Sequence, residues 1–156
     1  MRKAYLGFDT SNYRTSVCIL GEDGEILFEA KELLTVPEGK RGLRQSEAFF
    51  RHVNHLPEMV GNLGEAYHLL AVGASVRPRP VPGSYMPVFR AGEAFGRVIA
   101  SFYHIPFYAF SHQEGHIAAG EYALSAPFHP TRFLAVHLSG GTSELLDVTK
   151  EKETID

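Results

Sequence analysis

The sequence has one cysteine, Cys18, no tryptophan and a formal net charge of only -3 over 156 residues. A single thiol excludes an intrachain disulfide and any cysteine-rich metal cage. No apolar run approaches the ~18 residues of a membrane-spanning helix. The near-neutral balance removes a global electrostatic case for nucleic-acid or membrane binding, leaving only local basic patches open. The opening MRKAYLGFD has a basic pair but no apolar run behind it, so no secretory leader is expected and a cytoplasmic protein is. What is present is ordinary for a globular protein: 44% hydrophobic and 21% charged residues, at a one-domain length able to build a real core.

Residues 4–9 (AYLGFD) are short, apolar and aromatic, which predicts a buried strand ending at a carboxylate. Thr10 to Tyr13 is expected to turn, because Ser and Asn side chains bond to nearby backbone. Residues 15–20 form a second strand, and the Asp-Gly pair in GEDGE predicts a hairpin into a third, over residues 25–33. A helix starts at Ser46, with Phe49, Phe50, Val53 and Leu56 at helical spacing; Pro57 is expected to kink or divide it. LLAVGAS (69–75) predicts a buried strand, followed by a loop holding four of the nine prolines, at residues 78–87. That loop is expected to follow a defined path through packing of Tyr85 and Met86.

A helix over 88–103 and a strand at 107–110 come next. Ser111 to Glu114 matches the S-x-x-E capping box and predicts a helix to about Ser125. RFLAVHL and TSELLDV then form a hairpin around Ser139-Gly140-Gly141. The fold class is therefore α/β. Three antiparallel strands followed by strand–helix alternation give a mixed sheet with helices on its faces. The last hairpin cannot bury both its faces alone, so the domains are expected to be 1–130, a first lobe, and 131–156, the incomplete start of a second.

Four groups could carry chemistry or binding. His112 and His116, at i and i+4, share one helix face and can chelate a divalent metal; the alternative is a pair of surface or capping histidines. A zinc protease would place Glu directly after the first His, where Gln113 stands, and Glu114 has the capping box to serve. Asp9 ends its strand with Ser11 close by. Its carboxylate can hold a hydrated cation or orient a nucleophile, or simply form an Asx turn. Ser139, Gly140 and Gly141 let backbone approach a phosphate, or make an ordinary hairpin turn. Lys40, Arg41, Arg44 and Arg51 could meet nucleic-acid phosphates or form a solvated face.

The segments GFDTSNYRTSV, RQSEAFFRHVNHLP, SVRPRPVPGSYMPVFRAG, FSHQEGHIAAG and AVHLSGGTSELL, in this order, resemble the glycoprotease-like family once called O-sialoglycoprotein endopeptidases. These are the TsaD-type catalytic subunits of tRNA N6-threonylcarbamoyladenosine synthesis. The resemblance implies the actin-like, hexokinase-like ATPase superfold, with this chain as a first ribonuclease-H-like lobe plus the first hairpin of a second. It implies transfer of a threonylcarbamoyl group from its adenylate to N6 of an adenosine in tRNA. It also implies one divalent metal ion, iron or zinc, on His112 and His116, with a third ligand from a second lobe. Asp9 would be catalytic. Ser11 and the run His137, Leu138, Ser139, Gly140, Gly141 would approach ATP or the adenylate. Partners would be tRNA, threonylcarbamoyl-adenylate and a paralogous protein, with no membrane. Two departures from the family pattern stand out: Thr142 where a histidine usually follows the glycine pair, and Arg77-Pro78-Arg79-Pro80 in place of a glycine-rich run. They point to a divergent paralogue. The alternatives are a non-catalytic scaffold of the same fold, a sugar or acyl kinase, and a metalloprotease.

Overall fold

The computed structural model describes residues 1–39, 41–126, 128–138 and 143–150. Its elements are β1 (Arg2–Asp9), β2 (Arg14–Gly21), β3 (Ile26–Leu33), α1 (Gln45–Gly61), β4 (Tyr67–Arg77), α2 (Phe89–Tyr103), β5 (Phe107–Ser111), α3 (His112–Tyr122), β6 (Arg132–Leu138) and β7 (Ser143–Thr149). Contacts divide the chain into two units, Met1–Gly115 and His116–Asp156. No helix among the described residues is long and apolar enough to cross a membrane.

In the first unit a five-stranded sheet runs in the order β3-β2-β1-β4-β5. The opening meander is antiparallel, as the Asp-Gly turn predicts, with Gly24 at φ 85°. From β1 outward the pairing becomes parallel, β1 with β4 and β4 with β5, because each later strand returns through a helix. Alternation along β1 buries Ala4, Leu6 and Phe8 with Val17, Ile19, Val72 and Ala74 beneath the helices. α1 adds Leu56 and Met59 to the same core.

α2 comes close to the sheet because two of its residues lack side chains. A Cβ on Gly96 would stand 2.8 Å from Phe107 Cε2, and one on Gly92 would stand 3.2 Å from Thr10 Oγ1. The helix ends with His104 at φ 54°, in the left-handed region, and Ile105 N donates to Ala100 O.

Three expectations need correction. α1 runs unbroken through Pro57. The Pro57 ring itself is exposed, in the C-terminal part of the helix. α3 stops at Tyr122, and the chain leaves through turns at Ala123 and Leu124 instead of continuing to Ser125. In the proline loop Met86 packs beside Val88 and Phe89, but Tyr85 is 66% exposed. The loop's other ties are polar: Ser84 Oγ accepts from Arg79 N at 3.0 Å, and Pro78 O accepts from Gln113 N at 3.1 Å.

The second unit carries the β6–β7 hairpin, antiparallel from Arg132↔Thr149 to Leu138↔Ser143. Leu134, Val136, Leu138 and Leu145 are exposed on one of its faces. Phe133, Ala135, Leu146 and Val148 alternate with them on the other.

Candidate active site

The strand alternation that buries Phe8 turns the next two residues to opposite sides of the sheet. Asp9 closes β1, and its Oδ2 lies 2.7 Å from Nδ1 of His112, the first residue of α3. Its other oxygen, Oδ1, accepts from Ser11 N at 2.8 Å, an Asx turn. Burial on its own would raise the Asp9 carboxyl. The His112 bond and charge, helped by Ser75 and Ser11, outweigh it and hold the pKa at about 2. An ionised carboxylate only accepts, so His112 Nδ1 is the donor of this bond; in the neutral ring that tautomer leaves the lone pair on Nε2. A carboxylate behind a histidine in this way is the arrangement that orients a metal-ligating imidazole, so the pair fits a divalent ion. Phe89, fully buried, has its ring centroid 6.1 Å from that of His112.

Thr10 serves the other side. Its hydroxyl donates to Val88 O at 2.9 Å and accepts from Gly92 N at 3.2 Å. Val88 at the head of α2 makes no side-chain cap, so Thr10 supplies it from the neighbouring turn. β5 ends at Ser111, and the capping box forms as the sequence predicts: Ser111 N donates to Glu114 Oε2 at 2.6 Å and Glu114 N donates to Ser111 Oγ at 3.2 Å. Glu114 is thus committed to starting α3, which leaves the protease reading without its base.

A buried histidine cluster was not legible as a site. His52, with no exposed surface, has Nδ1 2.8 Å from Thr15 Oγ1, and His55 Nδ1 lies 3.3 Å from the same hydroxyl. Burial, and then the neighbouring His55, push the His52 imidazole down to about 4 against the pull of Asn12 and Asp9. The only signal in the sequence is that His52 falls on the apolar stripe of α1 with Ala48, Leu56 and Met59.

His116 lies one turn beyond His112 on α3 and belongs to the second unit. There its ring centroid is 5.1 Å from that of His137 on β6. Leu138 is 71% exposed. Ser139, Gly140, Gly141 and Thr142 lie outside the described residues, as does Lys40 of the basic cluster. Of that cluster Arg51 is already engaged, by Thr35 O and Glu47 Oε1 at 2.7 Å each, while Arg41 and Arg44 are exposed. Among the described residues no three His, Cys, Asp or Glu side chains form a ready ligand set.

No family model matches the chain. Named relatives do. A tRNA N6-adenosine threonylcarbamoyltransferase of Neorickettsia sennetsu is 31% identical over 146 residues, 91% of this chain and 41% of that protein. The protein of the same name in Oenococcus oeni is 30% identical over 154 residues, 94% of this chain and 43% of its own length. The chain thus spans less than half the length of these curated relatives. Among solved structures, a Pseudomonas aeruginosa protein described as uncharacterized, with similarity to the peptidase YeaZ, superimposes with a TM-score of 0.52 at 16% identity. That alignment covers 98% of this chain and 69% of the other. The likeness is one of fold, an actin-like arrangement built on the mixed sheet described above. Over 91–94% of its length the chain is similar to these transferases, and through them to the TsaD-type glycoprotease family.

Proposed function

We propose that this protein acts in threonylcarbamoyl transfer to tRNA. The substrate would be threonylcarbamoyl-adenylate and the acceptor N6 of an adenosine in tRNA. In that reaction N6 bonds to the carbamoyl carbon, the bond from that carbon to the adenylate phosphate oxygen breaks, AMP leaves and N6 gives up one proton. The observation that carries the reading is the Asp9–His112 pair, joined at 2.7 Å between the first strand and the start of α3.

His112 and His116 would hold one divalent ion, iron or zinc, with an aspartate from a second lobe as third ligand. When bound, that ion supplies Lewis-acid stabilisation of charge on the carbonyl or phosphate oxygens. Asp9 keeps His112 in the Nδ1–H tautomer and fixes its ring plane, which makes it a positioning residue. Ser11 and the run from His137 through Leu138, Ser139 and Gly140 to Gly141 would meet the adenylate.

The test is rescue of a bacterial strain depleted of its own transferase, read as N6-threonylcarbamoyladenosine in tRNA nucleosides by mass spectrometry. Product formed by wild type and lost in His112→Ala supports the reading. Tight adenylate binding with no product would instead mark a non-catalytic scaffold of the same family.

A further inference from the structure

Among the described residues three buried side-chain atoms have no hydrogen-bond partner: Gln45 Oε1, His52 Nε2 and Arg77 Nε. Of the three residues only Arg77 carries a permanent charge. A buried guanidinium nitrogen without an acceptor is a costly arrangement that needs a physical cause. Arg2, Arg51, Arg90, Arg97 and Arg132 each lie beside a carboxylate. No carboxylate or other acceptor among the described residues meets the Arg77 side chain, and the residue is half-buried.

Its place is fixed from both sides. β4 ends at Arg77, which pairs with Ser111 at the end of β5, after a bulge that sets one extra residue between Ser75 and Arg77. Bulges of this kind re-aim side chains beside functional sites. Pro78 follows and holds Arg77 to extended backbone, and Pro78 O accepts from Gln113 N at 3.1 Å. Ser111 precedes His112, and Ser75 is one of the groups that stabilise the Asp9 carboxylate. Arg77 therefore stands at the same strand ends as the Asp9–His112 pair, inside the first unit. The carboxylates there are committed elsewhere: Asp9 to His112 and Ser11, Glu114 to Ser111 N.

We propose that Arg77 is an oxyanion-binding residue that takes a phosphate or carboxylate group of the substrate beside the Asp9–His112 pair. A planar guanidinium meets two oxygens of such a group at once, which a lysine ammonium does not. The inference deepens the preceding reading and rests on it for the substrate. The acyl donor named there carries both groups, the phosphate of its adenylate and the carboxylate of its threonyl part.

Calorimetry of the full chain with AMP and, separately, with N-carbamoyl-threonine tests it. Arg77→Lys keeps the charge and loses the planar fork, and Arg77→Met removes both. Arg77→Met is expected to weaken binding of the recognised probe at least about tenfold and Arg77→Lys somewhat less. Neither should lower the melting temperature, since no hydrogen bond of the side chain within the protein is lost. A loss with AMP assigns the phosphate, and a loss with N-carbamoyl-threonine assigns the carboxylate; either supports the proposal. Equal affinities in wild type and Arg77→Met, or no binding of either probe to wild type, overturn it. Transfer to tRNA by wild type, with probe affinities unmoved in Arg77→Met, keeps the preceding reading and removes this one. Arg77-dependent binding without tRNA product does the reverse. A probe-induced shift of the Arg77 Nε–H resonance in the unsubstituted chain is a readout free of folding effects, and an unmoved resonance overturns the proposal.

Discussion

Asp9 and His112, separated by 103 positions in the sequence, share a hydrogen bond of 2.7 Å. The bond joins the end of β1 to the start of α3, with β4 lying between β1 and β5 in the sheet. It holds the carboxylate against the Nδ1 side of the histidine ring.

Replacing Asp9 should therefore act through His112. Asp9→Asn keeps an acceptor for Ser11 N and removes the charge. It is expected to weaken divalent-metal binding about 10–100-fold with little change in melting temperature. Asp9→Ala also leaves Ser11 N without its acceptor, for a loss of about 1–3 kcal/mol in denaturant unfolding. Equal affinity in wild type and Asp9→Asn would show that the pair does not orient a ligand.

Thr10 offers a purely structural contrast one residue away. Thr10→Val keeps the shape but strips Val88 O and Gly92 N of their hydroxyl partner, at an expected cost of about 1–3 kcal/mol. Thr10→Ser keeps the hydroxyl and should recover most of that loss. Urea melts of the two variants decide it, and identical midpoints would refute the capping role.

The glycines of two helices should respond with opposite signs. Gly96→Ala places a carbon 2.8 Å from Phe107 Cε2, so overpacking of about 1–3 kcal/mol outweighs the gain in helix propensity. Gly120→Ala in α3 has nothing within 4 Å and should stabilise by about 0.5–1 kcal/mol. Thermal unfolding that moves both variants in the same direction would contradict the close approach of α2 to the sheet.

His52 predicts a pH response. Its folded-state pKa of about 4 lies below the ordinary imidazole value of 6.5. Between the two, the unfolded chain binds a proton that the folded chain refuses. The contribution is complete above 6.5, is lost as pH falls toward about 4, and levels off below that. Its ceiling is about 3 kcal/mol. Chemical unfolding at about pH 7 and about pH 4.5 should show the loss in wild type and a smaller one in His52→Asn. Parallel behaviour of the two proteins would remove His52 as the cause.

The fold was legible wherever one local rule decided it. The Asp23-Gly24 turn gives the meander, and the Ser111–Glu114 box gives the start of α3. Pro57 does not divide α1, since the helix continues past it to Gly61, and residue type and spacing alone do not decide between a break and a helix that continues. At the site, Asp9 and His112 could each be chosen by type and position, but their bond could not. Nothing local links residues so far apart; β1–β4–β5 pairing does. Thr15, His52 and His55 stayed hidden for the same reason, since a hydroxyl on β2 has no sequence signature of two imidazoles on α1.

The central place of β1 also bears on the order in which the chain folds. Its antiparallel partner β2 follows after a short turn, so the meander closes small loops and can form early. Its parallel partner β4 must first await a loop and the whole of α1, and β5 must await α2. Non-local pairings of this kind are slow steps. During synthesis Asp9 is therefore made long before the histidine that it holds, and the site is expected to mature last. Pulse-labelled hydrogen exchange would show this as amide protection in β2 and β3 preceding that in β5 and α3.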